Sequence, residues 1–133
     1  MPPYAFRIFL PRGFVYDIIF RMKIITETLT INELKQMAAM FENMVKAVVD
    51  VDRKLIAVDA ELHSDLEALL LQNGSKQKSL WGINLYPEMK GADFIEFDSM
   101  INMKPSQKNM SRGVDDNKTR KKIVEIVNKW ITL

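Results

Sequence analysis

Cysteine is absent from this sequence of 133 residues, and histidine occurs once. The chain can therefore form no disulfide and no Cys-based zinc site, and one histidine excludes a multi-His metal site within one chain. No apolar run approaches the ~20 residues that a membrane-spanning helix needs. Hydrophobic residues make up 47% and charged residues 27% of the chain, as in ordinary globular proteins. We expect a cytoplasmic globular protein with no metal and no cofactor.

Charge is segregated along the chain, although the net charge is only +2. Residues 44–103 carry 6 basic and 10 acidic side chains, a net charge of −4. Residues 104–133 carry 8 basic and 3 acidic side chains, a net charge of +5. This asymmetry permits an anionic ligand or a nucleic acid to bind at residues 104–122.

The first 21 residues differ in composition from the rest. They hold four of the seven phenylalanines and three of the five prolines. Pro11-Arg12-Gly13 interrupts their apolar region, so they make a poor signal peptide. Met22 opens MKIITETLT, which reads as a natural start. We interpret residues 1–21 as an N-terminal extension, which either results from a mis-called start or is disordered. We interpret residues 22–133 as one domain. The alternative is a hydrophobic docking tail or a membrane-surface segment.

Two helices are predicted in the first half of the domain. Thr30 and Glu33 form a capping box before a helix over 31–42, in which apolar residues recur at helical spacing. Ser64 and Glu67 form a second S-x-x-E box, which predicts a second helix capped at Ser64. Asn73-Gly74 then provides a stop.

Two hairpins are predicted around the second helix. Val45, Ala47, Val49 and Val51 alternate onto one face, which predicts a hairpin with its turn near residues 51–54. A single helix across 42–60 is the alternative. The stretch from Trp81 to Met103 predicts the other hairpin, with apolar residues on one face of each strand and polar residues on the opposite face. These polar residues are Asn84, Tyr86, Glu96, Asp98 and Asn102.

The last element is an amphipathic helix that begins near Asp115 or Asp116. The order of elements is therefore α-ββ-α-ββ-α. Hairpins with helices between them predict an α+β fold, in which an antiparallel sheet of two β-hairpins has its helices on one face.

From Met22 onward the chain resembles a family of small prokaryotic domains of unknown function. The resemblance is carried by MVKAVVDVDRKLIAVDAELHSD, by EALLLQNGSKQKSLWGINLYP and by FDSMINMKPSQKNMSRGVDD. The family pattern has Gly-Gly where Asp59-Ala60 stand, Arg in place of Lys104 and Gly in place of Lys108. The resemblance implies a family membership but no activity.

Two groups of polar residues are candidates for a site. Glu61, His63 and Asp65 combine a histidine with carboxylates, which suits general acid–base catalysis or, together with Glu96 and Asp98, a divalent metal. A helix start with solvated charges explains the same residues without any function. The second group offers cations and amides suited to phosphate, and it comprises Lys104, Gln107, Lys108, Asn109, Arg112 and Arg120.

The hypothesis that we favour is a small non-enzymatic binding or interaction module. It would use the polar strand face and the basic loop and helix start to hold an anionic ligand, a nucleic acid or a protein partner. The alternative is a small hydrolase or a divalent-metal-dependent enzyme built on His63 and its acidic neighbours. Homo-oligomerisation is a third option.

Overall fold

The computed structural model describes residues 22–132, so the interpretation of residues 1–21 lies outside the described part of the chain. Three α-helices and seven short strands make up this part. In chain order they are β1 (Lys23–Ile24), β2 (Leu29–Thr30), α1 (Ile31–Ala38), β3 (Val45–Asp50), β4 (Leu55–Val58), α2 (His63–Gln72), β5 (Leu80–Leu85), β6 (Ile95–Glu96), α3 (Asn117–Trp130) and β7 (Ile131–Thr132).

Five of the strands form an antiparallel sheet in the order β1-β4-β3-β5-β6. The other two, β2 and β7, form a separate parallel pair. The predicted α+β class and the antiparallel sheet are therefore confirmed. None of the helices within residues 22–132 is long and apolar enough to cross a membrane.

The first hairpin is confirmed in detail, and the alternative helix across 42–60 is wrong. Strands β3 and β4 pair from Ala47↔Val58 to Asp50↔Leu55. The turn lacks the Asn-Gly pair that is common in tight hairpins. Asp50 Oδ1 holds it instead, by accepting hydrogen bonds from the backbone N–H groups of Asp52 and Arg53, both at 2.9 Å. A carboxylate that binds backbone donors in this way stabilises a tight turn.

The helices lie on both faces of the sheet, which corrects the expected one-face arrangement. Alternating residues of a strand point to opposite faces. Val45, Ala47 and Val49 pack with buried residues of α1 and α3, such as Leu34 and Ile123. On the opposite face a smaller cluster is formed by Val48, Ala57, Leu66, Leu70 and Leu80, two of which belong to α2.

Helix α1 starts as predicted and ends earlier than predicted. Thr30 Oγ1 accepts from the N–H of Glu33 at 3.1 Å, and the Glu33 carboxylate accepts from the N–H of Thr30 at 3.2 Å, so the capping box is present. The helix stops at Ala38, because the backbone then turns through Glu42 and Asn43, which both have positive φ.

Helix α2 begins one residue before the predicted cap. Its N-cap is Leu62, which makes no side-chain capping bond, and Ser64 lies inside the first turn. The predicted capping box of Ser64 and Glu67 is therefore wrong. The predicted stop is confirmed: Gly74 has a φ of +103°, and the N–H of Ser75 donates to the carbonyl of Leu70 at 2.9 Å, as in a Schellman motif.

The second hairpin is shorter than the alternation predicts. Strand β6 contains only Ile95 and Glu96, which pair with Leu85 and Asn84. After that the chain leaves the sheet and forms a long loop up to Asp116. The predicted continuation of the strand to Met103 is therefore wrong.

Candidate functional site

The acidic-His group is not gathered into one site. Glu61 and Asp65 are exposed, whereas His63 is turned inward. Its Nε2 donates a hydrogen bond of 2.8 Å to the backbone carbonyl of Ile83, since a carbonyl can only accept. Burial lowers the pKa of His63 below its ordinary 6.5, against the opposing effect of that hydrogen bond. The ring is therefore held neutral near pH 7.

A glycine makes room for this histidine. A Cβ placed on Gly82 would stand 3.2 Å from Cδ2 of His63 and only 2.6 Å from Oγ of Ser99. Gly82 thus allows α2 and the loop after β6 to approach the sheet closely.

The described residues around His63 form no cluster of metal-binding side chains. Within residues 22–132 no three His, Cys, Asp or Glu side chains are grouped so that they could hold a metal ion. The alternative of a small hydrolase or a divalent-metal-dependent enzyme stays a prediction.

The structure brings Asn84, Tyr86 and Glu96 together on the polar strand face, and much of this face bonds internally. Glu96 Oε1 accepts from Asn84 Nδ2 at 2.8 Å and from Tyr86 Oη at 2.9 Å. Asp98 and Arg112 form an ion pair at 2.6 Å. Burial and the bond to Glu96 raise the pKa of Tyr86. These side chains connect β5, β6 and the loop that follows.

Asn102 replaces the missing part of β6. Its Oδ1 accepts from the N–H of Gly82 at 2.7 Å, and its Nδ2 donates to the carbonyls of Gly82 at 2.9 Å and Arg112 at 2.8 Å. The amide therefore supplies the backbone-like pairing that β5 needs where β6 has left. Asn102 is fully buried, so we assign it a structural role.

Asn109 holds the loop in the same way. Its Nδ2 donates to the carbonyls of Asn102 and Gly113, both at 2.8 Å, and its Oδ1 accepts from the N–H of Asp115. Asn109 also pairs with Lys104 in an isolated antiparallel bridge. The segment FDSMINMKPSQKNMSRGVDD, which carries the resemblance, is thus a loop fixed by its own asparagines.

The basic candidates are spread over several surfaces. Lys104 is buried and donates to the carbonyl of Gln77 at 2.9 Å, and burial lowers its pKa. Gln107 donates to the carbonyl of Lys78 at 3.2 Å. Lys108 is exposed in a turn with φ of 61°. Arg120 lies over the ring of Phe97, 4.4 Å from its centroid.

A large groove was not predicted from the sequence. It has a volume of about 810 Å³ and lies between α1, α3 and the residues that lead into and out of β6. Its apolar lining includes residues from all of these elements and from β7: Ile31, Phe94, Ile95, Phe97, Val124 and Ile131.

Four cations lie along the groove: Lys35, Lys90, Arg120 and Lys121. None of its described lining residues is acidic. Exposed Glu88 lies 3.8 Å from Lys35, but such a surface pair contributes little because solvent screens it. The only sequence signals for this site were the basic start of α3 and two phenylalanines near β6, which are remote from each other in the chain.

Comparison with protein families matches residues 23–130 to the family described as Protein of unknown function (DUF5674). No curated protein and no solved structure matches the chain. The match covers most of the domain, including the asparagine-fixed loop and the elements around the groove. The chain therefore belongs to the DUF5674 family, whose function is unknown.

Proposed function

We propose that the domain is a binding module whose ligand is an amphipathic anion, a molecule with an apolar body and a carboxylate or phosphate head. The observation that carries this proposal is the groove of about 810 Å³, whose described lining combines an apolar floor with four cations and includes no acidic residue. Pockets for small molecules commonly have volumes of roughly 300–1,000 Å³ and combine apolar walls with a few polar groups.

The apolar floor favours the body of such a ligand. Phe94 and Ile95 are only partly buried and pack against the main core, so one side of each can contact a ligand, whereas the ring of Phe97 is covered by the guanidinium of Arg120. Covering apolar surface of this kind contributes about 25 cal/mol for each Å² removed from water.

The cations favour its anionic head. Arg120 is held over Phe97 and donates weakly to the carbonyl of Val114 at 3.4 Å. These contacts restrict the conformations of the exposed Arg120 side chain before a ligand binds, which reduces the entropy lost on binding. Lys90 and Lys121 are exposed and supply further positive charge.

This proposal keeps a binding role for the basic helix start and relocates the contact. Arg120 and Lys121 would contact a ligand in the groove. The side chains of Lys104, Asn102 and Asn109 instead form the hydrogen bonds that hold the loop. Nucleic-acid binding at residues 104–122 stays a prediction, as do prokaryotic origin and a cytoplasmic location.

The test is a calorimetric titration of the full chain with dodecanoate and with dodecyl phosphate, beside uncharged dodecanol. We expect both anions to bind and dodecanol to bind much more weakly. The double variant Lys90→Glu/Lys121→Glu should lower affinity for the anions at least tenfold. Its matched control is Lys118→Glu/Lys122→Glu, which makes the same charge change on exposed residues of α3 outside the groove lining.

Two results would overturn the proposal. One is the absence of binding by either anion. The other is an equal loss in both double variants, because the effect would then come from net charge and not from the groove. A short single-stranded oligonucleotide that binds where the anions do not would favour the nucleic-acid alternative.

A further inference from the structure

Three exposed methionines lie on the loop that Asn102 and Asn109 fix. Met100, Met103 and Met110 are 63%, 45% and 66% exposed. None of them lines the groove. Large apolar side chains that are presented to water by a fixed segment mark a contact surface when they are contiguous.

The geometry of the loop makes them contiguous. Met100 and Met103 are joined by a 3-10 turn, in which the N–H of Met103 donates to the carbonyl of Met100 at 3.2 Å. Side chains three residues apart eclipse each other in such a turn. Lys104 and Asn109 form the antiparallel bridge and are both buried. Their neighbours Met103 and Met110 therefore face outward, opposite each other.

The conformation of the loop is set before any partner binds, because its polar groups form hydrogen bonds within the loop. The N–H of Ser99 donates to the carbonyl of Arg112 at 2.9 Å, and Lys104 and Asn109 exchange two backbone hydrogen bonds of 2.8 and 3.1 Å. A partner that docks here would not have to order the backbone first, which lowers the entropic cost of binding.

Three exposed lysines lie on this loop or on the segment that is bonded to it. Lys108 belongs to the same loop. Lys76 and Lys78 lie on a neighbouring segment, whose backbone carbonyls accept hydrogen bonds from the side chains of Lys104 and Gln107. Within residues 22–132 none of these three lysines forms an ion pair with a carboxylate. Their charges are therefore available to a partner.

We propose that Met100, Met103 and Met110, with Lys76, Lys78 and Lys108, form a methionine surface that docks an acidic amphipathic helix of another protein. Methionine is flexible and polarisable, and it suits the apolar face of such a helix. The lysines face the carboxylates beside that apolar face. A second copy of the chain fits less well, because a two-fold contact brings the same patch, and so the same lysines, together.

The test uses full chain labelled at its methionine methyl groups with ¹³C. The probe is a synthetic helical peptide with leucines along one face and glutamates beside them. A second peptide, with lysine in place of glutamate, is the control. We expect the acidic peptide to shift the methyl signals of Met100, Met103 and Met110 and to leave the methyl signal of Met40 unchanged. Met40 is also exposed and lies just after α1.

Variants separate the apolar and the charged contributions. The triple variant Met100→Gln/Met103→Gln/Met110→Gln and the double variant Lys78→Glu/Lys108→Glu should each weaken binding of the acidic peptide at least tenfold. The matched controls are Met40→Gln and Lys118→Glu/Lys122→Glu, which should bind as the unmodified chain does. Dodecanoate binding should be unchanged in the triple variant, which keeps this test independent of the groove.

Three results would overturn the inference. The acidic peptide does not bind, it shifts methyl signals elsewhere, or both peptides bind equally well. Concentration-dependent dimerisation that the triple variant abolishes would also overturn it, in favour of contact between two copies of this chain.

Discussion

Two residues have left-handed backbone at positions where the resemblance described from the sequence implies glycine. Asp59 has a φ of 76° and Lys108 a φ of 61°. This conformation brings Cβ close to the carbonyl oxygen in any residue with a side chain, and glycine alone avoids the contact. Aspartate adopts this conformation more readily than lysine does, so the local strain is greater at Lys108 than at Asp59.

Lys108→Gly should relieve that strain. Lys108 is exposed, so its removal costs little packing, and we expect the free energy of unfolding to rise by roughly 0.5–1 kcal/mol. Urea unfolding measures it. The control Lys122→Gly, at an exposed position inside α3, should lower the free energy of unfolding by about 1 kcal/mol. A loss of stability in both variants would contradict the argument.

His63 should make the fold sensitive to acid. Its pKa is near 6.5 in the unfolded chain and is lowered by burial in the fold. As the pH falls below about 6.5, the unfolded state takes up the proton first, so the free energy of unfolding decreases until the pH passes the folded pKa. Above about pH 7 His63 contributes no pH dependence.

The variant His63→Gln tests this because its amide can still donate to the carbonyl of Ile83. We expect its free energy of unfolding to depend less steeply on pH than that of the unmodified chain, between about pH 7 and pH 5. Chemical unfolding at several pH values gives both curves, and the titration of the carboxylates is common to them. Parallel curves would show that His63 does not titrate differently in the two states.

At the scale of elements, the absence of a capping side chain on α2 has a measurable consequence. Leu62 is the N-cap, has extended backbone and is 57% exposed. Leu62→Ser should place a hydroxyl where it can accept from the first turn, and raise the free energy of unfolding by about 0.5–1 kcal/mol. Ser64→Ala should change it by less than about 0.5 kcal/mol. A loss of about 1 kcal/mol in Ser64→Ala would restore the predicted cap.

Elements set by neighbouring residues could be predicted from the sequence, and those set by distant contacts could not. The box of Thr30 and Glu33 and the alternation over β3 and β4 are local patterns, and both are confirmed. The alternation after Phe94 also looks like a strand. The prediction of a longer strand is wrong because Asn102, beyond the strand, forms the hydrogen bonds with Gly82. No local sequence pattern indicates this contact.

At the scale of the whole molecule, both proposed surfaces depend on segments that are far apart in the sequence. The groove joins Lys35, the residues around Phe94 and the start of α3. The methionine surface depends on a loop that approaches the segment of Lys78. Composition predicted basic and polar candidates, and only the fold decides which of them point to solvent, which line a groove and which hold a loop.

We propose that residues 22–133 fold as one domain without residues 1–21, and this leads to the last prediction. The family match covers residues 23–130 and so begins one residue after Met22. A protein of residues 22–133 should therefore unfold cooperatively in urea, with a free energy of unfolding within about 0.5 kcal/mol of the full chain. A shortened protein that fails to fold, or that loses more than about 1 kcal/mol, would mean that residues 1–21 contribute to the stability of the domain and are not an extension.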